Sequence, residues 1–102
     1  MYIIKQTEQF TIWLDGLKDN QTKLRLAKRL RKAELGNLGD IKSVGNSVFE
    51  MREVFGPGWR MYYIMQNGVL IIMLGGGDKA TQKSDIVQAI EIAKQLEDER
   101  ND

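Results

Sequence analysis

A chain of 102 residues with 42% apolar and 28% charged content is an ordinary globular composition with room for one modest core. It contains no cysteine and no histidine, which excludes disulfides, thiolate chemistry, the commonest transition-metal ligand and the usual catalytic triads. The net charge of +1 hides an asymmetry: residues 1–79 carry twelve Lys/Arg against eight Asp/Glu, and residues 80–102 carry three against six.

A cationic body suggests an acidic partner, with nucleic acid as one candidate. The sequence pI is only about 7.9, so that reading rests on a local patch and not on the whole domain. No apolar run approaches the ~20 residues that span a bilayer, so no membrane partner is expected. The N-terminal MYIIKQTEQF lacks a charged region before a long apolar block and does not read as a signal peptide. These features lead us to expect a cytoplasmic protein and a single domain over residues 1–102.

In chain order, residues 1–6 (MYIIKQ) are short and β-prone, and predict a strand tied down by pairing with a later sheet. Thr7 is a candidate N-cap, and Phe10, Trp13, Leu14 and Leu17 repeat at helical spacing, a core stripe. Asp19-Asn20 can cap a second helix near 21–35, with Leu26, Ala27, Leu30 and Ala33 on its apolar side. Arg25, Lys28, Arg29 and Lys32 fall on the opposite side with no acid among them. They read either as a solvated face or as a footprint for a phosphate backbone or ribosomal RNA. Glu34 to Gly45 reads as a connection with a short strand available at Ile41–Val44.

Residues 48–79 dominate the remainder. Gly56-Pro57-Gly58 and Asn67-Gly68 are turn signals dividing three apolar runs, which predicts an antiparallel meander at roughly 48–55, 59–66 and 69–75. The continuously apolar 69–74 suits a central strand buried on both faces. Gly75-Gly76-Gly77 implies close approach of the backbone to something, or a positive φ. A last helix is expected from about 82 to 98, capped by Thr81 or Ser84, with a frayed charged end. The order is β-α-α-β-β-β-α, an α+β layout.

Few groups on this chain can do chemistry. There is no HExxH, no Cys pair and no carboxylate cluster at ligand spacing, so no metal and no cofactor is expected. A cationic, aromatic set remains: Arg52, Arg60, Lys79 and Tyr62 or Tyr63. Strand alternation puts Arg52 and Arg60 within reach of each other as cross-strand or diagonal neighbours. They are either bridged by Glu50 or Glu53 or left for a ligand. RNA brings its own nucleophile, the 2′-hydroxyl, and a protein cleaving it must orient that group, stabilise the phosphorane and assist the leaving oxygen. Arginine suits the second task, and a Lys, Tyr or carboxylate can serve as base. The same arginines read equally as strand residues that discourage edge pairing.

The motifs FxxWLxxL (Phe10 to Leu17), KxRxxxRL (Lys23 to Leu30), ExGNxGDxKxVG (Glu34 to Gly45), EMR (Glu50 to Arg52), GPGWRMYY (Gly56 to Tyr63) and GGGDKxxQxxDIxxA (Gly75 to Ala89) together resemble the addiction-module killer branch of the RelE/ParE toxin superfamily, close to the HigB type. The resemblance spans almost the whole chain. It implies a RelE-like α+β domain with a small antiparallel-rich sheet packed against helices. It also implies a ribosome-dependent, metal-independent endoribonuclease that cleaves mRNA, with a cognate antitoxin of the helix-turn-helix DNA-binding kind. Carried over, its phosphate-handling cations are Arg52, Arg60 and Lys79. Several relatives end in a catalytic Tyr or His, whereas residues 80–102 here contain neither. The proton acceptor is therefore open among Lys79, Tyr62 and Glu50. Two other readings follow from that departure: a non-catalytic, ParE-like inhibitor of DNA gyrase, and an inactive relative that only binds its antitoxin.

Overall fold

The computed structural model describes residues 1–101. Its elements are β1 (Ile3–Gln6), α1 (Glu8–Asp15), α2 (Asn20–Glu34), β2 (Ile41–Gly45), β3 (Val48–Arg52), β4 (Arg60–Gln66), β5 (Leu70–Gly77) and α3 (Gln82–Asn101), with a 3₁₀ turn at Lys79–Thr81 leading into α3. The sheet order is β1-β5-β4-β3-β2. β2 to β5 form an antiparallel meander, and β1 joins the edge of β5 in parallel. The meander therefore has one strand more than expected. Residues 41–45 pair with β3 through a turn in which Asn46 and Ser47 both take positive φ, 51° and 65°, as a tight hairpin requires.

The expected caps hold at two of three helices. The Thr7 side chain accepts from the Phe10 amide and the Asp19 side chain from the Gln21 amide. At the third, the cap is Asp78 instead of Thr81 or Ser84. Its carboxylate accepts from the Ala80 and Thr81 amides, and Thr81 reciprocates, because the chain turns into 3₁₀ geometry before the α-helix begins. α3 stays helical through Asn101, past the predicted frayed end, and Asp102 lies outside the described residues.

Two apolar layers hold the sheet between helices. On one face Phe10, Leu26, Leu30 and Ala33 from α1 and α2 meet Met51, Met61, Tyr63, Ile71 and Met73. On the other Val48, Tyr62 and Leu74 meet Ala89, with Ile86, Ile90, Ala93 and Leu96 around them. Ala27, read as part of the apolar side of α2, is exposed instead. The end of β5 explains its glycines. A Cβ on Gly76 would collide with the Trp13 ring, and one on Gly77 with the Asp85 carboxylate. Both helical layers thus close onto bare backbone at this point, next to where Lys79 leaves the sheet.

Candidate functional site

The register places Arg52 directly opposite Arg60 on β3 and β4, and Arg60 opposite Gly77 on β5. Two residues beyond Gly77 comes Lys79. The three predicted cations thus end up at one corner of the sheet. They line a cleft of about 440 Å³ together with Asp40, Glu53, Val54 and the Gly56-Pro57-Gly58 stretch.

The wall of this cleft is the 53–59 loop. It is closed at its base by the Glu53 amide donating to the Trp59 carbonyl at 2.9 Å. Gly58 sits at φ 81°, a conformation that favours glycine. A Cβ there would also stand 3.3 Å from Cβ of Lys79, so the loop lies against the Lys79 turn, and the Lys79 amide donates to the Pro57 carbonyl.

Each cation is held differently. Arg60 is nearly buried, 12% exposed, and its Nη1 donates to the carbonyls of Glu53, Gly58 and Trp59 at 3.4, 3.1 and 3.3 Å. Its Nε lies 4.0 Å from Glu50 and makes no hydrogen bond. Arg52 is half-buried and donates to Asp40 at 3.1 Å; that hydrogen bond and the Asp40 charge raise its pKa and keep it cationic. Lys79 is exposed and carries no salt bridge among the described residues. Glu50 therefore approaches Arg60, as one of the sequence alternatives allowed, whereas Glu53 is taken by Arg29.

The predicted aromatic members do not reach the cleft. Tyr62 and Tyr63 are 0% and 1% exposed, so neither can stack on a base in this conformation. The phenols lie in the two apolar layers because strand alternation puts successive rings on opposite, equally covered faces. Burial pushes both pKa values up, that of Tyr62 further through the nearby Glu50 and Asp85 charges, so Tyr62 is a poor base. Glu50 is 1% exposed, with both carboxylate oxygens accepting from Gln82, and it likewise does not face the cleft. Of the three candidate proton acceptors, Lys79 alone is at the surface.

The cationic face of α2 divides in two. Arg29 is only 10% exposed. It pairs with Glu53 at 2.7 Å and donates to the carbonyls of Arg52, Leu38 and Asp40 at 3.0, 3.0 and 2.9 Å. It is a structural brace and not a free RNA contact. Arg25 lies 3.7 Å over the Phe55 ring, a cation–π contact that ties the loop to α2. Lys28 and Lys32 stay exposed. All four line a shallow groove with Glu53 and Phe55, and Glu53 also lines the main cleft, so the two depressions adjoin.

Sequence reasoning did not single out Asp40, Glu53 as the partner of Arg29, or Gln82. Gln82 and Asp85 stand at fixed positions in the GGGDKxxQxxDI stretch, a signal that was present but had no role attached to it. Among the described residues no group of three or more His, Cys, Asp or Glu is arranged to hold a metal ion, and no helix is long and apolar enough to cross a membrane.

The fold is that of a RelE-like α+β domain. Its backbone matches a chain of the intact E. coli RelBE toxin–antitoxin complex with a TM-score of 0.63 at 16% identity, over 76% of this chain and 96% of that one. Residues 12–98 match the model of the phage-derived Gp49-like protein family, DUF891. An uncharacterised protein of Haemophilus influenzae is 47% identical over 93 residues, 91% of this chain and 94% of its own length. The chain belongs to the Gp49-like family, a RelE/HigB-type toxin family, as the motifs had implied.

Proposed function

We propose that this protein is the toxin of a type II toxin–antitoxin module and cleaves mRNA on the ribosome without a metal ion. The observation that carries the reading is the convergence of Arg52, Arg60 and Lys79 on one cleft. The 2′-oxygen attacks the adjacent phosphorus, the bond to the 5′-oxygen breaks, and a cyclic phosphate and a 5′-hydroxyl end result. Arg60 and Arg52 stabilise the charge that develops on the phosphorane oxygens. Lys79, the exposed member, exchanges the proton with the reacting oxygens. Arg25, Lys28 and Lys32 extend the cationic surface along α2 for ribosomal RNA, with affinity that falls as salt rises.

The partner that restrains the toxin is an antitoxin, a helix-turn-helix DNA-binding protein, and both act in the cytoplasm. The likeness to a chain of the RelBE toxin–antitoxin complex supports such a partner. The test is induction of the chain in cells with mRNA ends mapped by primer extension. New 5′ ends are expected, and they should disappear with Arg60→Ala. Growth arrest with intact transcripts would overturn the reading. One observation favours a second reading, non-catalytic inhibition of DNA gyrase: among the candidate bases only Lys79 is exposed. Inhibition of supercoiling by stoichiometric protein would support that reading instead.

A further inference from the structure

We propose that Gln82 is a positioning residue: by holding the buried Glu50 carboxylate it keeps the Arg60 guanidinium on the cleft wall. The proposal rests on the RNA-cleaving reading for its consequence and on geometry for its substance.

Glu50 is 1% exposed and lies on the sheet face beneath the start of α3. A buried carboxylate is costly unless it is paired and hydrogen-bonded. Here the compensation comes from two sides. Gln82 Nε2 donates to Oε1 and Oε2 at 3.2 and 3.0 Å. Arg60 Nε stands 4.0 Å from Oε1, beyond hydrogen-bonding range, and has no partner of its own. Tyr62, directly opposite Glu50 in the register, makes no hydrogen bond through its hydroxyl and takes no share. The amide thus holds the carboxylate just short of the guanidinium. Arg60 is left free to direct Nη1 at the three loop carbonyls that shape the cleft wall.

Without the amide, Glu50 has only Arg60 to satisfy it. The 4.0 Å gap closes, and the guanidinium turns away from the loop. Gln82 is well placed for this role because it is three residues from Lys79. The Asp78-capped turn presents Lys79 at the cleft and Gln82 to the sheet, so one short segment sets the positions of both cations.

The experiment compares wild type, Q82A and Q82E. Ribosome-programmed mRNA cleavage is followed kinetically, and the Nε–H signal of Arg60 is observed by ¹⁵N NMR in the free protein. In Q82A the signal should shift or broaden, and kcat should fall about tenfold or more with KM changed less than about threefold, as for a misoriented group at the reacting phosphate. In Q82E two facing carboxyls must share a proton, which raises one of their pKa values. The protonated carboxyl donates as the amide did, so Q82E should recover activity as pH falls, relative to wild type, while Q82A does not. An Arg60 signal in Q82A that matches wild type overturns the proposal, as does a Q82E pH profile parallel to that of wild type. If wild type cleaves no RNA, the cleavage reading fails by itself and the Arg60 signal still decides the positioning claim.

Discussion

Arg29 offers the sharpest test of how this chain uses its charges. Helical spacing groups it with Arg25, Lys28 and Lys32 as one cationic face, whereas the structure makes it a brace. Its guanidinium joins the α2–β2 connection, the end of β3 and the 53–59 loop through one ion pair and three carbonyl contacts, all between 2.7 and 3.0 Å. Removing one partner of a buried ion pair costs about 3–5 kcal/mol. Glu53 is 22% exposed and Asp40 borders solvent, so water replaces part of what is lost, and the lower end, about 3 kcal/mol, is the expectation for Arg29→Ala. In a domain of this size that is a fall in Tm of roughly 10–20 °C. Lys28→Ala and Lys32→Ala, at exposed positions, should stay within about 0.5 kcal/mol of wild type. Arg29→Lys should recover only part of the loss, because one ammonium cannot match four acceptors in a planar fork. Urea unfolding followed by the fluorescence of Trp13 and Trp59 measures all four variants. Equal midpoints for Arg29→Ala and Lys28→Ala would refute the brace and restore Arg29 to the RNA-facing set.

Other expectations concern the strand glycines, the cleft acid and the buried phenols. Gly76→Ala and Gly77→Ala should each cost about 1–3 kcal/mol, since a methyl meets the Trp13 ring or the Asp85 carboxylate. Gly75→Ala meets nothing within 4 Å and should be neutral or slightly stabilising in the same urea assay. Asp40→Ala removes the exposed partner of Arg52, a contact worth up to about 1 kcal/mol, so short single-stranded RNA should bind about fivefold tighter in low-salt anisotropy titrations. Tyr62 has a folded-state pKa above its unfolded value, so its contribution is intact below the ordinary phenol value of about 10 and is lost as pH rises beyond it. Stability should therefore be flat in this respect from neutral pH to about 10 and then fall, and Tyr62→Phe should blunt that fall without reducing RNA cleavage. A loss of cleavage in a folded Tyr62→Phe would return the phenol to the mechanism.

Much of the fold was legible because local signals agreed with global packing. Thr7 and Asp19 cap as hydroxyl and carboxylate residues do, Asn67-Gly68 turns a hairpin, and 69–74 is apolar throughout because helices cover both sides of β5. β2 was only half legible. Ile41 to Gly45 is mostly exposed and forms an edge, so burial imposes little alternation on it. The corner holding Arg52, Arg60 and Lys79 could be expected from strand alternation and from the motif resemblance. The side-chain environments could not. Alternation assigns Tyr62 and Tyr63 to opposite faces of β4, but nothing in it says that each face lies under a helix. Likewise the i, i+3, i+4, i+7 spacing of the α2 cations specifies a direction and not a neighbour. The neighbour of Arg29 is Glu53, 24 positions downstream.

The 53–59 loop accounts for much of the local density of cations at this corner of the sheet. The 53–59 segment has little apolar anchoring beyond Phe55 and Trp59. It is held largely by arginines, with Arg25 over Phe55, Arg29 on Glu53 and Arg60 on three carbonyls, and by the neutral backbone amide of Lys79 on Pro57. Of the arginines that hold the cleft wall, Arg60 also lines the cleft, beside Lys79, on the surface proposed for a phosphate. An anion that draws on the Arg60 charge must change the loop's own support, so anion binding and loop stability are linked, each altering the other by the same free energy. Inorganic phosphate should accordingly change amide exchange across 53–59 in wild type. The change should shrink when Arg60 is replaced and persist when Lys32, remote from the cleft, is replaced.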